Sequence, residues 1–175
     1  MKPLRPRYAR IRREVLNILQ RAGVATPPVP VEKIAKMLGA RVVSTDFNNE
    51  ISGVLVRRGS DTVIGVAKEQ SKTRQRFTIA HEIGHLVLHD AEEVHVDREF
   101  RVKLRSQASS NAVDVDEIEA NAFAASLLMP ESLLRQDVRK LSVDFDDATQ
   151  VEALATRYRV SAQAMTFRLL NLLGD

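Results

Sequence analysis

The chain has 175 residues, 44% of them hydrophobic, with a formal net charge of +3 and no cysteine. This length suits one domain with at most a small appendage, and the lack of cysteine excludes disulfides and thiolate metal sites, so any metal must be held by His, Asp or Glu. No apolar run approaches the roughly 20 residues of a membrane span, and 11–25, interrupted by Arg12, Arg13, Glu14 and Arg21, does not read as a signal peptide; a cytoplasmic protein is expected.

Lys2, Arg5, Arg7, Arg10, Arg12 and Arg13 crowd the N-terminus. Tyr8, Ile11, Val15, Ile18 and Leu19 recur at helical spacing, which predicts a helix ending near Gly23 with the arginines on its other face. Those arginines read as a solvated face, with a patch for nucleic acid or an acidic partner as the alternative. Thr26-Pro27-Pro28-Val29-Pro30 is a stiff connector. Val31 to Leu38 predicts a short helix closed by Gly39. Arg41 to Ser44, Ile51 to Arg57 and Thr62 to Ala67 predict strands, the last two joined as a hairpin through Arg58-Gly59-Ser60-Asp61. A small antiparallel sheet followed by helices gives an α+β class.

Lys68 to Arg76 is a polar, basic lead into Phe77–His89, which contains His81-Glu82-Ile83-Gly84-His85. On a helix, residues four apart stack on one face, so His81 and His85 aim at one point. Glu82 is offset around the helix and reads as the general base for a water molecule. The flanking positions are apolar almost all round, which predicts a buried helix. Burying two imidazoles and a carboxylate without partners costs roughly 1–3 kcal/mol per group, and a divalent cation supplies the partner. Zinc is the expected ion, with manganese as the alternative.

Asp90 to Val113 lacks apolar periodicity and reads as a long polar loop lying over the site. Asp114-Val115-Asp116-Glu117 opens a helix to about Leu128, stopped by Pro130; Asp114 with Glu117, or Asp116 with Glu119, suits a capping box. Glu131 to Lys140 predicts another helix. Asp147 to Arg157 and Ser161 to Leu172 predict two short helices around Tyr158-Arg159-Val160, shaped like a helix-turn-helix or a helical hairpin packed on the rest. Only Gln163, Thr166 and Arg168 suit base reading on the second of them. These patterns divide the chain at 1–28, 29–146 and 147–175.

A catalytic zinc takes three protein ligands, and the candidates for the third are His89, His95, Glu117 and Glu119. His89 continues the series past His85 and suits a role beside the ligands; His95 falls in the loop and stays open. Glu117, Ala120, Asn121, Ala124 and Leu128 share one helical face whose alanines permit close helix approach. Glu117 is therefore the expected ligand, Asn121 would orient a histidine through its free ring nitrogen, and Glu119 reads as solvent-facing or capping. An oxyanion stabiliser is not identified; His95, Tyr158 and a basic side chain all qualify.

Arg74–His89 and Glu117–Pro130 together resemble the two signature segments of the ImmA/IrrE family of metallopeptidases. Val29–Gly39, Ile51–Leu55 and Leu154–Met165 are similar to its N-terminal helix, first hairpin strand and C-terminal end. The resemblance covers nearly the whole chain from about Ile11. It implies a zincin-like fold, metal at His81, His85 and Glu117 with Glu82 as base, and cleavage of a helix-turn-helix repressor that de-represses stress or mobile-element genes. The competing reading is a DNA- or protein-binding regulator with a structural metal, and direct DNA binding is the less favoured of the two.

Overall fold

The structure, a computed structural model, describes residues 5–47, 51–89, 94–98, 115–141 and 147–173. Helix α1 (Tyr8–Arg21) buries Ile11, Val15, Ile18 and Leu19, the stripe that its periodicity set out. Helix α2 (Val31–Met37) buries Val31, Ile34 and Ala35, and Gly39 follows at φ 84°, the left-handed geometry that a glycine after a helix end supplies without a Cβ clash.

Strands β1 (Ala40–Thr45), β2 (Ile51–Arg58) and β3 (Asp61–Ala67) follow, then helix α3 (Lys72–Leu88) and strand β4 (Val94–Arg98). The sheet order is β1-β3-β2-β4. The β2–β3 hairpin is antiparallel as expected, but β1 joins β3 in parallel, so the sheet is mixed rather than antiparallel throughout. The chain passes from β1 to β2 and turns back as β3 between the two, so β3 runs antiparallel to β2 and parallel to β1. Both hairpin strands are interior; the outer edges among the described residues belong to β1 and β4.

β4 replaces part of the loop expected over 90–113. Val94-His95-Val96 is too short for its alternation to stand out, and its pairing with β2 makes it a strand. The remainder of that stretch, with the expected lid and the Asp114 cap, lies outside the described residues.

Helices α4 (Val115–Leu128), α5 (Glu131–Leu141), α6 (Ala148–Tyr158) and α7 (Ala162–Leu173) complete the order. α3 packs against α4 on one side and against β2 and β3 on the other, which makes it the central element. One apolar cluster runs from Ile11 and Val15 of α1 through Ile79 and Ile83 of α3 and Phe123 and Leu127 of α4 to Val151, Leu154, Met165 and Leu169 of the last two helices. The C-terminal pair therefore contributes to the common core. Between α6 and α7, Arg159 sits at φ 53°, and Ser161 Oγ accepts from the Ala164 amide at 3.2 Å. At the α5–α6 junction the fully buried Tyr158 hydroxyl donates to Asp137 at 2.9 Å, and Arg157 Nε donates to the same carboxylate at 2.8 Å. No described helix is long and apolar enough to cross a membrane.

Candidate metal centre

The helix carrying the H-E-x-x-H segment starts five residues before the expected Phe77, at Lys72, with Ser71 Oγ accepting from the Arg74 amide at 3.3 Å. Of its polar first turns, Gln75 and Arg76 are buried, and each has backbone partners. Gln75 Nε2 donates to the carbonyls of Ala67, Lys68 and Gln70, and Arg76 donates to those of Val29 and Arg159. One helical turn apart, His81 and His85 bring their Nε2 atoms to 3.0 Å, and both residues are buried. Glu82 is fully buried toward the sheet. Gly53 of β2 makes room there: a Cβ on it would lie 2.3 Å from Thr78 Cγ2 and 3.1 Å from Glu82 Oε1.

Helix α4 crosses α3 at Gly84, where a Cβ would come 3.0 Å from Ala120 Cα and 3.2 Å from its carbonyl oxygen. That approach brings Glu117, one turn before Ala120, to 3.7 Å from His81 Nε2 and 3.4 Å from His85 Nε2. Asn121 Oδ1 lies 3.0 Å from His81 Nδ1. An amide oxygen only accepts, so His81 carries a proton on Nδ1 and turns its Nε2 toward Glu117.

On the other side, His85 Nδ1 lies 3.1 Å from His89 Nδ1, and His89 Nε2 lies 3.1 Å from Glu119 Oε2. Glu119 corrects the sequence reading: it is fully buried, neither exposed nor capping. Arg7 donates to both its oxygens, at 2.9 Å from Nε and 2.6 Å from Nη2. This hydrogen-bonded guanidinium holds the Glu119 carboxyl down to about 2. An ionised carboxylate can only accept, so His89 donates from Nε2. The His85–His89 contact through the two Nδ1 atoms holds the His85 ring with its Nε2 turned toward His81 and Glu117. Burial, opposed by Glu117, pushes the His85 imidazole down to about 4, so it is neutral at neutral pH. Arg7 occupies the cation's place beside His89, Asp116 and Glu119, so that second cluster is served by a protein cation.

Two imidazole nitrogens are crowded to 3.0 Å, and a carboxylate beside them adds negative charge. A divalent cation among them relieves both, so the donor set fits a metal of the imidazole- and carboxylate-binding kind.

His95 is the residue that sequence reasoning left open. It pairs in register with Leu55, and cross-strand partners share a sheet face. Leu55 is buried and Val94 and Val96 are exposed, so His95 projects from the buried face. Its Nε2 lies 3.3 Å from Glu117 Oε1, and its ring centre is 3.8 Å from that of His85. The histidine alternating with two valines was the available signal, and it was too short to read as a strand. Two other candidates are committed elsewhere. Tyr158 is engaged with Asp137, and Arg168 donates to the Met129 carbonyl at 3.1 Å, which removes it from the presumed base readers. Arg10 likewise turns inward, to the Val87 carbonyl.

The family model Peptidase_M78, described as the IrrE N-terminal-like domain, matches residues 35–170. "Uncharacterized immunity region protein 2" of Bacillus phage phi105 is 24% identical over 129 residues, 74% of each chain. Among solved structures, a Mycobacterium tuberculosis transcriptional regulator superposes with a TM-score of 0.62 at 18% identity, over 93% of this chain and 46% of that one. The chain thus spans about half the length of that regulator, and the likeness shows a shared fold.

Proposed function

The chain belongs to the family of IrrE N-terminal-like peptidase domains, and from that premise we propose that it is a metal-dependent endopeptidase whose substrate is a helix-turn-helix repressor. The observation that carries the reading is the pair of facing Nε2 atoms of His81 and His85 with Glu117 beside them. His81, His85 and Glu117 hold the ion; Asn121 and His89 fix the two rings. The three-donor set with two imidazoles suits zinc, with manganese second. When bound, the ion polarises the scissile carbonyl and lowers the pKa of a water molecule. Glu82 accepts that water's proton on a carboxylate oxygen and passes it to the leaving amine.

An extended peptide can be received along the outer edge of β4, as peptides add to open strands. Both strands of the β2–β3 hairpin are interior and leave no edge for such pairing. The phage relative named for an immunity region and the transcriptional regulator of like fold support a repressor as partner. A cytoplasmic location and the division at 1–28, 29–146 and 147–175 belong to the same proposal, the three segments sharing one core.

One observation favours a second reading, a regulator with a structural metal: His95 offers a fourth donor, and structural sites are closed by four protein ligands. The deciding experiment co-expresses the chain with the repressor encoded beside it. Wild type is expected to cut that repressor at one position and casein poorly, while Glu82→Gln cuts neither. Sequence-specific DNA binding with no cleavage would promote the second reading.

A further inference from the structure

The position of His95 is not explained by a three-ligand site. His81, His85, His95 and Glu117 each present a ligand atom, and these atoms all lie within 4.8 Å of one another. Ligand bonds of about 2.0–2.2 Å in a tetrahedral site put the ligand atoms about 3.3–3.6 Å from one another. The separations fall around that value: 3.0 Å between the Nε2 atoms of His81 and His85, and 3.4 and 3.3 Å from Glu117 Oε1 to His85 and His95, with the other Glu117 oxygen, Oε2, 3.7 Å from His81. His95 Nε2 is buried and, although 3.3 Å from Glu117 Oε1, makes no hydrogen bond of acceptable geometry among the described residues. A buried imidazole nitrogen without a partner is costly, and ligation would satisfy it.

The element carrying His95 differs from those carrying the other three. His81, His85 and Glu117 stand on α3 and α4, locked together at Gly84. His95 stands on β4, which among the described residues is an edge strand hydrogen-bonded on one side, and its side chain remains a quarter exposed at 26%. The β2–β4 register shifts between Ile51 and Gly53, at the far end of this short ladder. β4 is therefore the most easily moved member of the set, and its open edge is the place where an extended chain can pair.

We propose that His95 closes the resting site as a fourth, displaceable ligand, and that it withdraws when a substrate strand pairs with β4. The inference rests on the metallopeptidase reading and adds its regulation. A closed four-ligand set keeps the resting protein inactive toward peptides that do not engage β4, and pairing at that edge opens one position. The four-donor arrangement and a catalytic role are then compatible, because the fourth donor sits on the element that the substrate contacts.

The test uses the full chain. Zinc X-ray absorption on the wild type, with no variant needed, is expected to show three imidazoles; two would overturn the proposal. The cobalt-loaded wild type is expected to keep its visible spectrum when azide or acetohydroxamate is added. Cobalt-loaded His95→Ala should shift on the same addition, with metal affinity at least about tenfold weaker. Identical spectra and equal affinities in the two proteins would overturn the proposal while leaving the three-ligand site standing. Failure of the wild type to bind zinc or cobalt at all would overturn the metallopeptidase reading and this inference with it. Cleavage of a short unstructured peptide gives the remaining readout. An increase in His95→Ala supports latency, and a decrease with unchanged metal binding rejects it in favour of a role for His95 in the chemistry itself.

Discussion

Gly84→Ala tests whether the crossing of α3 and α4 sets the site. The added Cβ would lie 3.0 Å from Ala120 Cα, 3.2 Å from its carbonyl oxygen and 3.3 Å from Phe123 Cβ. Carbon atoms in ordinary contact stand about 3.5–4.0 Å apart, so the helices must part by about 0.5 Å. Two of those neighbours are backbone atoms of α4 and cannot swing away. Overpacking of this kind costs about 1–3 kcal/mol, while alanine in a helix interior gains about 0.8–1.0 kcal/mol over glycine. The net loss for the metal-free protein is about 0–2 kcal/mol, or a melting temperature lower by up to about 8 °C at 2–4 °C per kcal/mol. Metal binding is more sensitive. Glu117 is one turn from the contact, and ligand distances tolerate only about 0.2 Å, so affinity should fall about tenfold or more. The assays are thermal unfolding of the metal-free protein and competition with a chelating dye. A variant that is stabilised by about 1 kcal/mol and binds zinc as tightly as wild type would refute the reasoning.

Glu82→Gln should keep the fold and the metal while slowing cleavage by about 10²–10⁴, whereas His81→Ala or His85→Ala should lose most of the metal; elemental analysis beside an activity assay separates the two, and near wild-type turnover in Glu82→Gln would remove it as the base. Stability should fall in acid, because His85 and Glu119 are both depressed in the fold. The unfolded His85 takes up a proton below its ordinary 6.5, but the folded one only near 4, so stability is lost across that window. Glu119 then adds a loss from about 4.5 down to about 2, as the carboxylate held by Arg7 is protonated; a flat unfolding profile between pH 7 and 3 would contradict both assignments. Arg7→Ala leaves the buried Glu119 with His89 as its hydrogen-bond partner among the described residues, and since Arg7 is itself 33% exposed the cost should be about 2 kcal/mol, below the range for a fully buried pair. Equal stability of Arg7→Ala and wild type by urea unfolding would make that ion pair incidental.

The sequence alone placed His81 and His85 on one helical face, because a period of 3.6 residues and a four-residue spacing leave no other arrangement. The same periodicity put Glu117 and Asn121 on a small-residue face able to approach that helix, and set the buried stripe of α1. What periodicity carries is the direction of a side chain around its own element. It does not carry which element stands opposite. Glu119 looked like a surface carboxylate because its partner Arg7 is 112 positions away, and only the packing of α1 against α4 brings the two together. His95 looked like a loop residue because five residues hold too few alternations to announce a strand, and β2 supplied the ladder that made it one. The parallel seat of β1 and the burial of Arg168 against the Met129 carbonyl have the same origin. In each case the deciding energy is long-range hydrogen bonding or desolvation, which no local window contains.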